Sequence, residues 1–116
     1  MGLRSLAWSD GHYRGRYGGS WESRDRAYHQ GTVWTWLLGF FVQAYLMAND
    51  FSTPARQQAR TWLEGFNQHL RQAGLGTVSE IFEGDAPHTP RGCIAQAWSV
   101  AELIRAKRMI DTGRVL

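Results

Sequence analysis

Cysteine, lysine and proline are scarce in this sequence of 116 residues, which contains one Cys, one Lys and three Pro. The single cysteine, Cys93, excludes an internal disulfide and offers no metal-ligand spacing. The sequence therefore predicts no metal site, and it predicts no cofactor. Because the pattern pairs no histidine with Cys93, we interpret this residue as a small buried side chain rather than as a nucleophile.

Long apolar runs are also absent, although 43% of the residues are hydrophobic. The apolar stretch from Val33 to Met47 is too short and too interrupted to span a bilayer. The first residues lack the apolar segment that precedes a signal-peptide cleavage site. We therefore expect a cytoplasmic protein with no membrane as a partner.

Positive charge exceeds negative charge by a small margin, with a formal net charge of +3 at pH 7. The basic residues are almost all arginines, and they are scattered along the chain without forming a block. Nucleic-acid binding usually requires a basic patch or stripe. We therefore expect no nucleic-acid partner and interpret the arginines as solvated surface residues.

Aromatic residues, by contrast, are abundant: the sequence contains six Trp, four Tyr and five Phe. A tryptophan side chain is costly to place without a large packing partner. The excess indicates either a core shared with more protein or a surface on which flat rings stack against a ligand.

Composition and periodicity divide the chain into four parts. Residues 1–30 are rich in Gly, Arg, Ser and Tyr and show no sustained period, so we predict irregular structure there. Residues 31–73 predict a helical hairpin, 74–91 a long loop, and 92–112 a final helix. Within the loop, residues 77–82 predict a short extended piece.

Each of the three predicted helices has a wide apolar face. In the first helix it consists of Trp34, Leu37, Leu38, Phe41, Tyr45 and Leu46. In the second it consists of Ala55, Ala59, Trp62, Leu63, Phe66 and Leu70, and in the third of Ile94, Ala97, Trp98, Ala101 and Ile104. Faces of this width indicate consecutive members of a larger helical array, with a small three-helix bundle as the alternative.

The loop carries a concentration of acidic side chains. Glu80, Glu83 and Asp85 lie within six residues and are followed by His88. In an extended segment Glu80 and Glu83 point to opposite faces, so we expect them to have different roles. A carboxylate beside aromatic rings can activate a water molecule as a general base. The alternative is a solvated loop whose charges face water.

A second polar segment, Tyr28-His29-Gln30, precedes the first predicted helix. Its side chains could reach a ligand from the loop while the helix anchors them; alternatively, His29 or Gln30 caps the helix. Trp34 and Trp36 lie on roughly opposite faces, so one of them is either a packing contact to a neighbouring helix or a platform for a ring-shaped ligand.

Four segments carry a resemblance to a known family. They are Tyr28-His29-Gln30-Gly31-Thr32-Val33-Trp34, Ser79-Glu80-Ile81-Phe82-Glu83-Gly84-Asp85, Pro87-His88-Thr89-Pro90-Arg91-Gly92-Cys93 and Gln96-Ala97-Trp98-Ser99. In this order they resemble the C-terminal end of glycogen debranching enzymes, of the prokaryotic amylo-α-1,6-glucosidase type. The segments around residues 2–6 and 13–19 are also similar, so the resemblance covers essentially the whole chain.

The resemblance implies an all-α fold, in which this chain forms the C-terminal segment of an (α/α)6 toroid, with about three helices plus long loops. The central pocket of such a toroid holds an α-1,6-linked glucosyl branch of an α-glucan such as glycogen or a limit dextrin. The family hydrolyses this bond with two carboxylates and inversion, and Glu80 falls where the general base is expected. Substrate contacts are expected from Tyr28, His29, Gln30, Trp34, Glu83, Asp85 and His88.

The sequence also departs from the family pattern. The general acid of the family is an aspartate in a Trp-Met-Asp context, which does not occur here, and Thr35 stands where proline is usual. We therefore expect a fragment with half of an active site, inactive alone, that associates with an upstream polypeptide completing the ring or with itself. The alternative is a non-catalytic glucan-binding or ring-completing module of a split enzyme.

Overall fold

Within residues 1–115, five helices are interspersed with four very short strands. The computed structural model describes residues 1–115. The helices are α1 (Trp21–Tyr28), α2 (Trp36–Ala48), α3 (Thr53–Leu63), α4 (Gly65–Gln72) and α5 (Ala97–Thr112); the strands are β1 (Leu3–Arg4), β2 (Val33–Trp34), β3 (Ile81–Phe82) and β4 (Pro90–Arg91). None of the helices in this described part is long and apolar enough to cross a membrane.

The predicted helical hairpin corresponds to α2 and α3. The first helix ends at Ala48, immediately before Asn49, and α3 has Pro54 in its first turn. Proline fits this position because the first turn of a helix leaves its N–H groups unpaired. The predicted second helix is interrupted at Glu64, after which α4 begins.

The hydrophobic core lies where α2 and α3 pack against α5. Its fully buried side chains include Val42, Leu46, Ala59, Phe66, Ala106, Met109 and Ile110. The apolar face predicted for the second helix is confirmed, because Ala55, Ala59 and Phe66 are buried, with Trp62, Leu63 and Leu70 packed around them.

The face predicted for the last helix is wrong. α5 begins at Ala97, and its buried residues are Ser99, Ala106, Met109 and Ile110. Of the residues expected inside, Ile94 is 59% exposed, Trp98 49% and Ile104 54%. Apolar residues occur on more than one face of this helix, so their spacing alone could not select the face that packs against α2.

A four-stranded antiparallel sheet with the order β1-β2-β3-β4 corrects the all-α prediction. Each strand has only two residues, too few for an alternating pattern that could be recognised in the sequence. Val33 pairs with Phe82, and Trp34 pairs with Ile81. The sheet thereby joins the start of the chain, the segment before α2 and both sides of the acidic loop.

The prediction of irregular structure over residues 1–30 is also wrong in part, because α1 occupies Trp21–Tyr28. The Ser23 backbone N–H donates a hydrogen bond to the Ser20 side chain at 3.3 Å, which caps the helix. Glu22 in the first turn and Arg26 in the last turn complement the helix dipole. These signals are present in the sequence, but the glycine- and arginine-rich context conceals them.

Leu46→Ala tests the α2 side of the core. The Leu46 side chain has no exposed surface, so its truncation should lower the free energy of unfolding by about 2–5 kcal/mol. Urea denaturation followed by far-UV circular dichroism measures the change. The neighbouring Met47, 53% exposed, provides the control, and an equal loss in Met47→Ala would contradict the observed helix orientation.

Candidate active site

A surface cavity of about 540 Å³ lies between α1 and the loop that contains Glu80. Binding sites for small molecules usually have volumes of about 300–1,000 Å³. The lining residues are Tyr17, Trp21, Arg24, Asp25, Tyr28, Glu80, Gly92 and Cys93. The cavity therefore combines aromatic rings with both acidic and basic side chains.

The Glu80 carboxylate is held in place through both of its oxygens. The Tyr28 hydroxyl donates a hydrogen bond to Oε1, and the Cys93 backbone N–H donates one to Oε2 at 2.9 Å. The Glu80 backbone N–H in turn donates to the Cys93 carbonyl at 2.8 Å. Because each carboxylate oxygen has two lone pairs, the group can still accept a further hydrogen bond from within the cavity.

Gly92 makes the contact between Glu80 and Cys93 sterically feasible. Its φ of +68° is a left-handed conformation that glycine adopts without strain. A Cβ atom at this position would collide with Oε2 of Glu80. Glycine is therefore needed both for the turn and for the close approach of the carboxylate.

Tyr28 contributes its hydroxyl from the last residue of α1 and packs its ring against other aromatic groups. Ring centroids of Trp34 and His29 lie 4.9 and 4.8 Å from that of Tyr28, and Tyr17 lies at 5.8 Å. Burial raises the pKa of the Tyr28 hydroxyl, and the hydrogen bond to Glu80 raises it further. The hydroxyl therefore stays protonated at neutral pH and remains a hydrogen-bond donor to Glu80.

The remaining residues of this segment do not line the cavity. Trp34 is only 6% exposed, stacks on His29 and donates its Nε1–H to the Tyr28 carbonyl at 3.2 Å. Trp34 therefore supports Tyr28, and its predicted contact with a substrate stays a prediction. The side chains of His29 and Gln30 are exposed, and their predicted substrate contacts stay predictions.

Glu83 is buried in a turn of the acidic loop, where it pairs with two arginines. Its side chain is almost fully buried, and Nε and Nη2 of Arg91 both lie 3.1 Å from Oε1. Nη1 of Arg16 lies 3.5 Å from Oε2. The His88 Nδ1–H donates to the Glu83 carbonyl at 2.9 Å, which ties the same turn together.

Asp85 continues this anchoring toward the start of the chain. The Tyr13 hydroxyl donates to its carboxylate at 3.0 Å, and the Gly84 N–H donates to the Gly15 carbonyl at 2.8 Å. Glu83 and Asp85 therefore hold the acidic loop against residues 13–16, whereas His88 stabilises the loop internally. Their direct contact with a substrate stays a prediction.

The separate roles of Glu80 and Glu83 do not arise from strand alternation. Strand β3 contains only Ile81 and Phe82, so Glu80 precedes it and Glu83 follows it. Phe82 is buried in the core beside His69, whereas Glu80 lines the cavity. The two carboxylates differ because separate tertiary contacts surround them.

Sequence reasoning missed six of the lining residues: Tyr17, Trp21, Arg24, Asp25, Gly92 and Cys93. The signal that could have found three of them is the spacing of residues 21, 24, 25 and 28, which share one helix face. Cys93 is exposed in the loop, so its interpretation as a buried side chain is wrong. Within residues 1–115, no group of three or more His, Cys, Asp or Glu side chains could hold a metal ion.

The segment before Glu80 is anchored from the helical side. The Ser79 N–H donates to Nε2 of His69 at 3.2 Å, and both residues are buried. Burial lowers the pKa of His69, which favours the neutral imidazole that this hydrogen bond requires. The protonation state of His69 therefore affects how firmly the Glu80 segment is held.

Comparison with known proteins connects this geometry to a family. The model of a family described as amylo-alpha-1,6-glucosidase matches residues 1–105. The chain belongs to this family. A glycogen debranching enzyme from Saccharomyces cerevisiae (strain ATCC 204508 / S288c) is 28% identical over 123 aligned residues, covering 90% of this chain and 8% of the yeast protein. The predicted relationship to the amylo-α-1,6-glucosidase family is thus confirmed, whereas the narrower prokaryotic type stays a prediction.

Glu83→Gln and Glu80→Gln should affect stability differently. Glu83→Gln removes the charge opposite two arginines and should lower the free energy of unfolding by about 1–2 kcal/mol. The loss stays this small because both arginines are partly exposed to solvent, which screens the ion pairs. Glu80→Gln should cost less than about 1 kcal/mol, since an amide oxygen can replace one acceptor. Urea denaturation measures both, and the reverse order would contradict the assigned roles.

Stability should fall at acidic pH through His69. Its pKa is lowered in the folded state, so the unfolded chain takes up the proton first, from about pH 6.5 downward. The free energy of unfolding should decline until the pH passes the folded pKa. His69→Gln keeps a hydrogen-bond acceptor without titrating. The free energy of unfolding of this variant, measured between pH 7.5 and 5, should therefore change less with pH than that of the parent chain. Identical pH profiles would rule out a contribution from His69.

Proposed function

We propose that this chain supplies the general base and one wall of the sugar pocket in a glycosidase that hydrolyses α-1,6-linked glucosyl branches of α-glucans. The position of the Glu80 carboxylate carries the proposal: it lines a cavity of suitable size while Tyr28 and Cys93 fix both of its oxygens. The family membership supports this reaction class, and the proposed substrate is an α-glucan such as glycogen or a limit dextrin.

In the proposed mechanism Glu80 takes a proton from a water molecule that attacks the anomeric carbon. The C–O bond to the leaving sugar breaks as the new C–O bond forms, and the configuration inverts. Tyr28 and Cys93 fix the direction of the carboxylate before the reaction, which avoids reorganising it in the transition state.

The leaving oxygen must receive a proton from a second carboxyl group on the opposite side of the sugar. The Trp-Met-Asp motif expected for the general acid does not occur in these 116 residues. We therefore place the acid on another segment and assign this chain to the C-terminal part of an (α/α)6 toroid. The chain spans 8% of the length of its yeast relative, so the remaining helices of the ring would come from outside it.

Binding of α-1,6-linked sugars provides the test. Isothermal titration calorimetry of the 116-residue chain with isomaltose should show binding that weakens about tenfold in Glu80→Gln, because the charged hydrogen bond to the water that bridges Glu80 and the sugar is lost. Glu64→Gln removes an exposed carboxylate outside the cavity and should have no effect. Absence of isomaltose binding, or equal weakening in both variants, would overturn the proposal.

Glucose release from an α-1,6-branched dextrin tests the assignment of the acid. The chain alone should release none above background, since general acid catalysis is typically worth about 10²–10⁴-fold. Release that disappears in Glu80→Gln would show that the acid lies within this chain. Asp25→Asn then identifies the donor, because Asp25 is the other carboxylate lining the cavity.

A second candidate is a non-catalytic module that completes a helical ring. Large apolar side chains exposed on α2 and α5 favour it: Phe40 is 53% exposed, Trp98 49% and Ile104 54%. Such faces are typical of surfaces that contact further protein, either another polypeptide or a second copy. The isomaltose titration separates the candidates, because a ring-completing module predicts the same affinity for the parent chain and for Glu80→Gln.

A further inference from the structure

The cavity extends beyond Glu80 along one face of α1. Trp21, Arg24, Asp25 and Tyr28 all line it, at the spacing that places side chains on the same side of a helix. From Trp21 to Tyr28 the helix rises roughly 10 Å, at about 1.5 Å per residue. This length exceeds one hexose ring, so the cavity wall can contact more than the sugar unit at Glu80.

Trp21 differs from the other aromatic residues around the cavity in its exposure. Its side chain is 68% exposed, whereas Tyr28 and Trp34 pack against each other with ring centroids 4.9 Å apart. Trp21 also begins α1, whose N-terminus is capped by Ser20, so the backbone that carries the ring is fixed. An exposed indole on a fixed backbone presents a flat apolar face at little conformational cost.

Polar groups accompany this ring. Among the residues that the structure describes, the side chains of Arg24 and Asp25 take part in no hydrogen bond or salt bridge, although both line the cavity. A guanidinium donates and a carboxylate accepts hydrogen bonds, which together match the mixed donor and acceptor character of sugar hydroxyls. The wall thus offers an apolar surface for a sugar face and polar groups for its edge.

We infer that Trp21 is the stacking platform of a second subsite, which binds the glucan unit adjoining the one at Glu80. This inference rests on the proposed function, because it requires the cavity to bind an α-glucan. Trp21 thereby recognises the length and linkage of the oligosaccharide and takes no part in the reaction at Glu80. Arg24 and Asp25 orient the second sugar through its hydroxyl groups.

Calorimetric titration of the 116-residue chain with glucose, isomaltose and panose (an α-1,6-glucosyl maltose) tests the inference. Trp21→Ala should weaken isomaltose and panose binding about tenfold while changing glucose binding less than twofold, because only these two sugars place a second unit on the platform. Trp8→Ala provides the matched control, since Trp8 is 74% exposed and lines a different cavity. Unfolding curves of both variants should match the parent chain.

The outcomes separate this inference from the proposed function. If the parent chain binds isomaltose and Glu80→Gln weakens that binding, but Trp21→Ala leaves the affinity for isomaltose and panose unchanged, the second subsite is refuted and the proposed function stands. Equal losses for glucose and panose in Trp21→Ala would also refute it. If no sugar binds to the parent chain, both ideas fail together.

Discussion

The antiparallel pairing of β2 with β3 is the contact on which the candidate site depends. It joins Val33 to Phe82 and Trp34 to Ile81, and so brings the acidic loop beside the end of α1. Tyr28 and Glu80 are 52 residues apart in the sequence, and no local preference would bring them together. The two residue pairs between β2 and β3 bring Tyr28 and Glu80 together. This short pairing lies in a buried position, because both strands are covered by the core and by the aromatic cluster.

Around this pairing, the two glutamates of the loop have different surroundings, which suit a structural role for Glu83 and the proposed chemical role of Glu80. Glu83 is buried between Arg16 and Arg91, where its charge fastens the loop to the N-terminal segment and to β4. Glu80 keeps an open side toward the cavity while Tyr28 and Cys93 hold it. A buried ion pair suits a fixed structural contact, whereas a base must remain accessible to its substrate.

The local structure of α2, α3 and the end of α5 could be predicted from the sequence, because each depends on neighbours within a few residues. Asn49 ends one helix, Pro54 begins the next, and Gly113 adopts φ of +67° after the last. The sheet could not be predicted, since its strands are shorter than any recognisable period. The buried face of α5 could not be predicted either, because apolar residues are present on more than one side of it.

For the site, sequence motifs were enough to predict Glu80 as the general base and Tyr28 as a substrate contact, since both residues lie in segments that resemble the family. Tertiary structure decided the rest. In the tertiary structure Trp34 is buried and packs against Tyr28, Glu83 is buried and holds the acidic loop, and Trp21 lies on the cavity wall. The physical reason is that a motif specifies which groups are present, whereas burial and reach depend on contacts between segments far apart in the chain.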